Sequence, residues 1–169
     1  MRKARLIGLM VAVAVALALV LAPTAGAAGA TTPRAASGTW TWVTTGAEGV
    51  DVGGGDTFVT GTEDGTWTGT FQGTSVDYFA GLLPADGSAY GALTVVFRGK
   101  IEHARGGFVM HLSWQAPPLP NMLMWGKWTI VTARGGLKHL LGSGTWITFL
   151  ADDDTPLNAA TYEGTYWRY

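Results

Sequence analysis

Between residues 38 and 169, apolar and polar side chains alternate in segments of about six to twelve residues, and almost no stretch repeats at the helical period. In "GTWTGTFQG" the odd positions carry Trp67, Gly69, Phe71 and Gly73, and the even ones Thr66, Thr68, Thr70 and Gln72. In "GGFVMHLSWQ" one side holds Phe108, Met110, Leu112 and Trp114, the other Val109, His111, Ser113 and Gln115. A period of two with one apolar and one polar face marks a strand between a core and water. The pattern predicts strands near 38–46, 56–62, 65–73, 74–81, 88–99, 106–116, 123–133, 143–151 and 160–169. These segments are rich in Thr, Val, Trp, Phe and Tyr, which suit a pleated, half-buried surface.

A second pattern lies on the first. A large aromatic follows two residues after a glycine at Gly38-Thr39-Trp40, Gly65-Thr66-Trp67 and Gly144-Thr145-Trp146, and more loosely at Gly126-Lys127-Trp128 and Gly164-Thr165-Tyr166-Trp167. Glycine relaxes a strand where it bends, and an aromatic on the same face fills the space beside it. Many short antiparallel strands with one wet face leave edges that invite aggregation, and closing the sheet removes them. The expected fold is therefore all-β, a single closed antiparallel barrel of about eight strands, favoured over an open β-sandwich. The turns fit: "PADGS" (84–88) contains Asp-Gly, a hairpin signal, and "RGG" recurs at 105–107 and 134–136. "DVGGGD" (51–56) reads as a glycine-rich strand connection, and Leu137, Leu140 and Leu141 as one helical turn capping a barrel end.

The first thirty residues change the picture of where the barrel works. Arg2, Lys3 and Arg5 precede the apolar run "LIGLMVAVAVALALVL", and small residues after Pro23 offer Ala-x-Ala cleavage sites after Ala27 and Ala30. This is the layout of a cleavable signal peptide, and the run is short for a membrane anchor. The expected organisation is a signal peptide over 1–30, a flexible tether over 31–37 and the barrel domain over 38–169, the protein being secreted and free of the membrane after cleavage. There is no cysteine, so stability rests on the hydrophobic core. Without the leader, eight Lys/Arg stand against twelve Asp/Glu, a formal charge of −4 with no basic stripe. That balance excludes nucleic acid as a partner class.

"GTWTGTFQGTS", "YGALTVVFRGKIEHARGGFVMHLSWQ", "GKWTIVTARGGLKHLLGSGTWITF" and the closing "YEGTYWRY" together resemble the allene oxide cyclase-like barrels. The nearest likeness is to a bacterial branch of unknown function, and it covers most of 38–169. The shared positions are glycines and aromatics, so the resemblance implies fold more than activity. Members of the wider superfamily include plant cyclases, dirigent proteins and bacterial polyketide cyclases. They hold an apolar, reactive ligand in a shaped cavity and bias its ring closure or coupling. The bacterial branch carries a polar residue, often His, on the Phe side of the strand after "RGGF". Here that position is Leu112, and His111 falls on the other face.

Candidate chemistry is sparse. No Gly-x-Ser-x-Gly elbow is present, and His103, His111 and His139 have no partner at zinc spacing, so they read as surface histidines and no metal is expected. Asp152-Asp153-Asp154 lacks the alternating spacing of a calcium loop and reads as a solvated turn. Three carboxylates, Asp77, Glu102 and Glu163, are candidates to enter the barrel, where burial would raise the pKa and allow proton transfer. Asp77 shares its face with Phe71 and Phe79 and is the best single catalytic candidate. The eight tryptophans are the strongest feature, offering flat apolar walls and a few N–H donors. The expected ligand-lining set is Trp40, Trp42, Trp67, Phe71, Phe97, Met110, Leu112, Trp114, Trp128 and Trp146. Three functions remain open: a secreted barrel binding a small apolar or aromatic molecule, a cofactor-independent cyclase or isomerase, or an extracellular structural or interaction domain with a filled core. Homo-oligomerisation is compatible with each.

Overall fold

The computed structural model describes residues 31–118, 123–148 and 158–169. Eight strands follow one another: β1 (Arg34–Gly53), β2 (Asp56–Trp67), β3 (Gln72–Leu83), β4 (Ala89–Ile101), β5 (Ala104–Ala116), β6 (Trp125–Gly135), β7 (Leu140–Thr148) and β8 (Ala159–Arg168). Each pairs antiparallel with the next, and β8 returns to β1, with Arg34 opposite Tyr166 and Thr41 opposite Ala159. The meander is thereby a closed barrel.

The period of two decides which side chains go inside. Along β5, Phe108, Met110, Leu112 and Trp114 are buried while His111, Ser113 and Gln115 are exposed. The same parity buries Trp40 and Trp42 on β1, Val95 and Phe97 on β4, Trp128 and Ile130 on β6, and Tyr162 and Tyr166 on β8.

Four strand assignments need correction. Residues 56–62 and 65–67 belong to one strand, β2, and the chain turns instead at 68–71, inside the expected strand 65–73. Gly69 sits there at φ +87°, and a Cβ on it would collide with the Ser37 carbonyl and the Cα of Gly38. The backbone still bonds to β1 on both sides of the turn, through Thr68 N to Thr39 O and Thr70 N to Ser37 O, each at 2.9 Å. Residues 34–37, expected in a tether, are the start of β1 and pair with β8; Thr31 N bonds to Arg168 O at 2.8 Å. "RGG" at 105–107 lies within β5, because the β4–β5 turn is made at Glu102 and His103, with Glu102 at φ +53°. The Leu137–Leu141 segment is a tight turn rather than a helix, Leu137 N bonding to Arg134 O and Leu140 N to Leu137 O. Leu137 and Leu140 nonetheless close one barrel end, 0% and 1% exposed. The leader over 1–30 and Asp152-Asp153-Asp154 lie outside the described residues.

The recurrent glycines make room for neighbouring strands' aromatics. A Cβ at Gly65 would stand 2.7 Å from the Trp40 indole nitrogen, and one at Gly144 would stand 2.7 Å from the Trp128 ring. The indole thus crosses the glycine of the next strand.

Around the Leu137 end the interior is solid. Phe71 and Tyr162 stack at 5.0 Å with 2° between planes, and Phe97 and Phe108 stack at 4.4 Å. Trp128 meets Phe71 edge-on at 5.7 Å. Such pairs add about 0.5–1.5 kcal/mol each beyond the area they bury. The Trp128 indole donates to the carbonyls of Thr145 and Glu163, both at 3.1 Å.

Candidate functional site

The opposite end is built from the last inward residues of β1, β5 and β7 and the first of β4. Trp40 and Trp42 (β1) lie 4.4 Å apart at a 31° tilt, and Trp146 (β7) meets Trp40 edge-on at 5.8 Å. Trp114 (β5) crosses β4 and β3, its ring lying over Gly91 and Gly81. With Val59, Phe79, Leu93 and Met124, these four indoles wall a cleft of about 150 Å³. Trp42, Leu93 and Trp114 keep 7–8% exposure, whereas Phe71, Phe97, Leu137 and Leu140 at the other end keep 0–1%.

Among the described residues one ionisable side chain lines this cleft, Glu63 of β2. Directly across the strand pair stands Asp77 of β3, the Cα partner of Glu63. Both point inward, since both are buried within strands of strict alternation. Side chains opposite one another on one face have Cβ atoms about 4.5–5.5 Å apart. The two carboxyls therefore form a neighbouring pair.

Little compensates them. Glu63 has one long contact, from the Thr44 hydroxyl at 3.4 Å. Asp77 is fully buried and neither of its oxygens has a hydrogen-bond partner. The Ser75 hydroxyl and the Trp40 N–H lie close enough to favour its charged form, yet neither reaches hydrogen-bonding geometry. Ser75 Oγ accepts from the Trp67 indole at 2.9 Å. The Trp40 and Trp114 N–H groups are likewise buried and unpartnered. Burial pushes the Glu63 carboxyl up to about 7, against the weaker pull of Thr44. Burial also pushes Asp77 up to about 7, with the Glu63 charge adding to the shift and Ser75 opposing it. Groups titrating at that value exchange protons readily at neutral pH.

Of the residues expected to line a lumen, Trp40, Trp42, Trp114 and Trp146 line the cleft. Trp67, Phe71, Phe97, Met110, Leu112 and Trp128 are buried but fill the barrel beneath it. Asp77 lies inside. Glu102 does not: it is exposed, paired with Arg34 and accepting from the Tyr166 hydroxyl at 3.1 Å. The Arg34 hydrogen bond, followed by that of Tyr166, holds its carboxyl below the usual range. Glu163 is exposed, as are His103, His111 and His139. Glu63 escaped the sequence reading because "TEDG" has the composition of a turn. Its parity with Gly65 and Trp67 was the available signal. Two larger depressions, of about 580 and 700 Å³, lie on the outer wall over β7–β8 and β2–β4, and neither gathers buried polar groups. Among the described residues no three His, Cys, Asp or Glu side chains cluster to hold a metal.

No family model matches the sequence, and no curated protein matches it. A solved structure does: a protein of unknown function from the DUF3224 family of Shewanella oneidensis MR-1. The two share 18% identity with a TM-score of 0.64, over 82% of this chain and 98% of that one. At that identity the likeness concerns the fold, an eight-stranded antiparallel ring, and leaves the chemistry of the cleft to be argued from its own residues.

Proposed function

We propose that this protein is a secreted barrel that binds a small apolar or aromatic molecule in the tryptophan-walled cleft at its open end. The observation that carries the reading is the contrast between four indole walls and a single polar contact, Glu63, facing an unfilled volume. Binding sites commonly combine apolar walls with a few placed polar groups. The size sets the ligand. Small-molecule pockets run to about 300–1,000 Å³, whereas an apolar cavity of about 150 Å³ takes a single benzene ring. A cleft of about 150 Å³ accordingly fits one ring, or the end of a longer chain, and not an entire polyene. Secretion is part of the proposal and rests on the signal-peptide pattern of residues 1–30.

A second reading is favoured by one specific observation, the Glu63–Asp77 pair titrating near neutrality. Such a pair suits proton transfer in a cofactor-independent cyclase or isomerase, the activity that the resemblance to allene oxide cyclase-like barrels implies. A filled-core interaction domain is placed third, because among the described residues a cleft of about 150 Å³ opens at one end.

Titration of the protein with a panel of monocyclic apolar compounds, followed by tryptophan fluorescence, tests the binding reading. Saturable quenching is expected, and it should vanish in Leu93→Trp, which fills the cleft from its wall. Absence of saturable quenching by every member of the panel overturns it.

A further inference from the structure

The cleft presents the Glu63 carboxyl with Asp77 buried behind it, and among the described residues no counter-charge stands beside them. All eight Lys and Arg side chains of 31–169 lie outside the buried interior: seven are exposed and Arg168 is half-buried. The three histidines are exposed as well. Around the pair, β1 contributes Trp40, Trp42 and the Thr44 hydroxyl; β4 contributes Leu93 and Val95; β5 and β7 contribute Trp114 and Trp146. The one further titratable neighbour is Asp64 of β2, whose negative charge adds to the field at Asp77. Among the described residues, the charges that act on the pair are therefore all negative. A fold that encloses two adjacent carboxyls this way leaves their neutralisation to a proton or to a ligand.

We propose that the cleft takes an organic cation, a small ammonium group whose alkyl surface packs against Trp40, Trp42, Trp114 and Trp146 while its charge sits against the Glu63–Asp77 pair. The proposal rests on the ligand-binding reading above and names its ligand class. Indole faces carry negative potential, and tryptophan is the best of the aromatic side chains at holding a cation. Four indoles meeting at one cleft are the arrangement by which proteins enclose quaternary and methylated ammonium groups. A hydrated inorganic divalent ion fits poorly, because calcium requires six to eight oxygen ligands, whereas the described side chains offer here the carboxyls of Glu63 and Asp77 and the Thr44 hydroxyl beside Glu63, among apolar walls. Anionic ligands meet charge of their own sign. Asp77, with both oxygens unpartnered behind Glu63, supplies a second negative charge that no described residue neutralises.

The test compares two molecules of one shape, phenyltrimethylammonium and its uncharged isostere tert-butylbenzene, titrated into the protein by calorimetry and fluorescence. The pair titrates at about 7, so affinity for the cation should rise about tenfold from about pH 6 to about pH 8 as the carboxyls ionise. Affinity for the isostere should stay flat or fall over that range. Glu63→Gln should flatten the cation's pH dependence while the isostere still binds; if that variant fails to fold, the wild-type pH comparison decides alone. Equal affinity for both compounds at every pH, or binding of the isostere alone, overturns the cation assignment and leaves the apolar-ligand reading standing. Binding of neither compound overturns the cation assignment, and the apolar-ligand reading falls with it when the monocyclic panel also gives no saturable quenching.

Discussion

The two ends of this barrel use the same residue types to opposite effect. At the Leu137 end, Phe71, Phe97, Phe108, Trp128 and Tyr162 stack or meet edge to face, and the polar atoms of Trp128 and Tyr162 all find backbone partners. At the other end Trp40 touches Trp42, Trp67 and Trp146, but Trp40 and Trp114 keep unpartnered N–H groups near a carboxyl with no hydrogen bond, and a cleft opens beside the rings. Interiors normally satisfy their buried polar groups, because each orphan costs about 1–3 kcal/mol. One end obeys that rule and carries the stability. Its counterpart departs from it, as functional sites do, and depends on the first end to hold the strands in register.

The largest difference should appear on truncating the tryptophans. Trp128→Ala removes a ring packed on all sides and is expected to cost about 3–5 kcal/mol. Trp114→Ala opens a wall that already faces the cleft, and should cost no more than about half of that. Urea denaturation of the two variants gives the comparison directly. Equal losses would mean that the open end is packed as tightly as the closed one, and the cleft would lose its standing as a site.

The ends should also answer differently to pH. Unfolded, Asp77 and Glu63 ionise at the ordinary values of 3.8 and 4.5; folded, both do so at about 7. Between those limits the folded chain holds more protons than the unfolded one, so stability falls as pH rises and levels off above 7. Carried by two groups, the fall should be on the order of 5 kcal/mol between about pH 5 and about pH 8. Tyr162, buried at the closed end, is pushed up to about 12 and contributes nothing in that window. Chemical denaturation at about pH 5 and about pH 8 measures the slope. The Asp77→Asn, Glu63→Gln double variant should remove it, and a flat wild-type profile would show the pair to be solvated.

How much of this was legible in the sequence follows from parity. Alternation alone places Asp77 inside on the face of Phe79 and sends His111 out opposite Leu112, because a strand offers only two faces. It also assigns nine of the ten expected aromatic and aliphatic positions to the interior, the tenth, Phe71, being buried from the turn at 68–71. What it does not contain is where a turn falls among several polar candidates. "TEDG" and "TGTF" are both turn-like, and the choice is made by contact with β1, where Gly69 fits under the backbone of Ser37 and Gly38. That choice puts Glu63 in a strand opposite Asp77. Nor does parity say which buried rings touch, since the gap among Trp40, Trp42, Trp114 and Trp146 arises from packing between strands far apart in sequence.

The same turn supplies the finest probe of the closed end. The Tyr162 hydroxyl accepts from the Phe71 N–H and donates to the Thr68 carbonyl, each at 2.9 Å, so one side chain from β8 fastens both flanks of the β2–β3 connection. Tyr162→Phe keeps the ring stacked on Phe71 and deletes only those two bonds. Leaving a buried N–H and a carbonyl without partners should cost about 1–2 kcal/mol. The loss should be independent of pH between about 5 and about 8, unlike that at the other end. It should come with faster amide exchange at Thr68 to Phe71 and unchanged exchange around Glu63. Exchange accelerating at both sites together would show that the turn and the cleft form one cooperative unit rather than a packed base and a separate binding end.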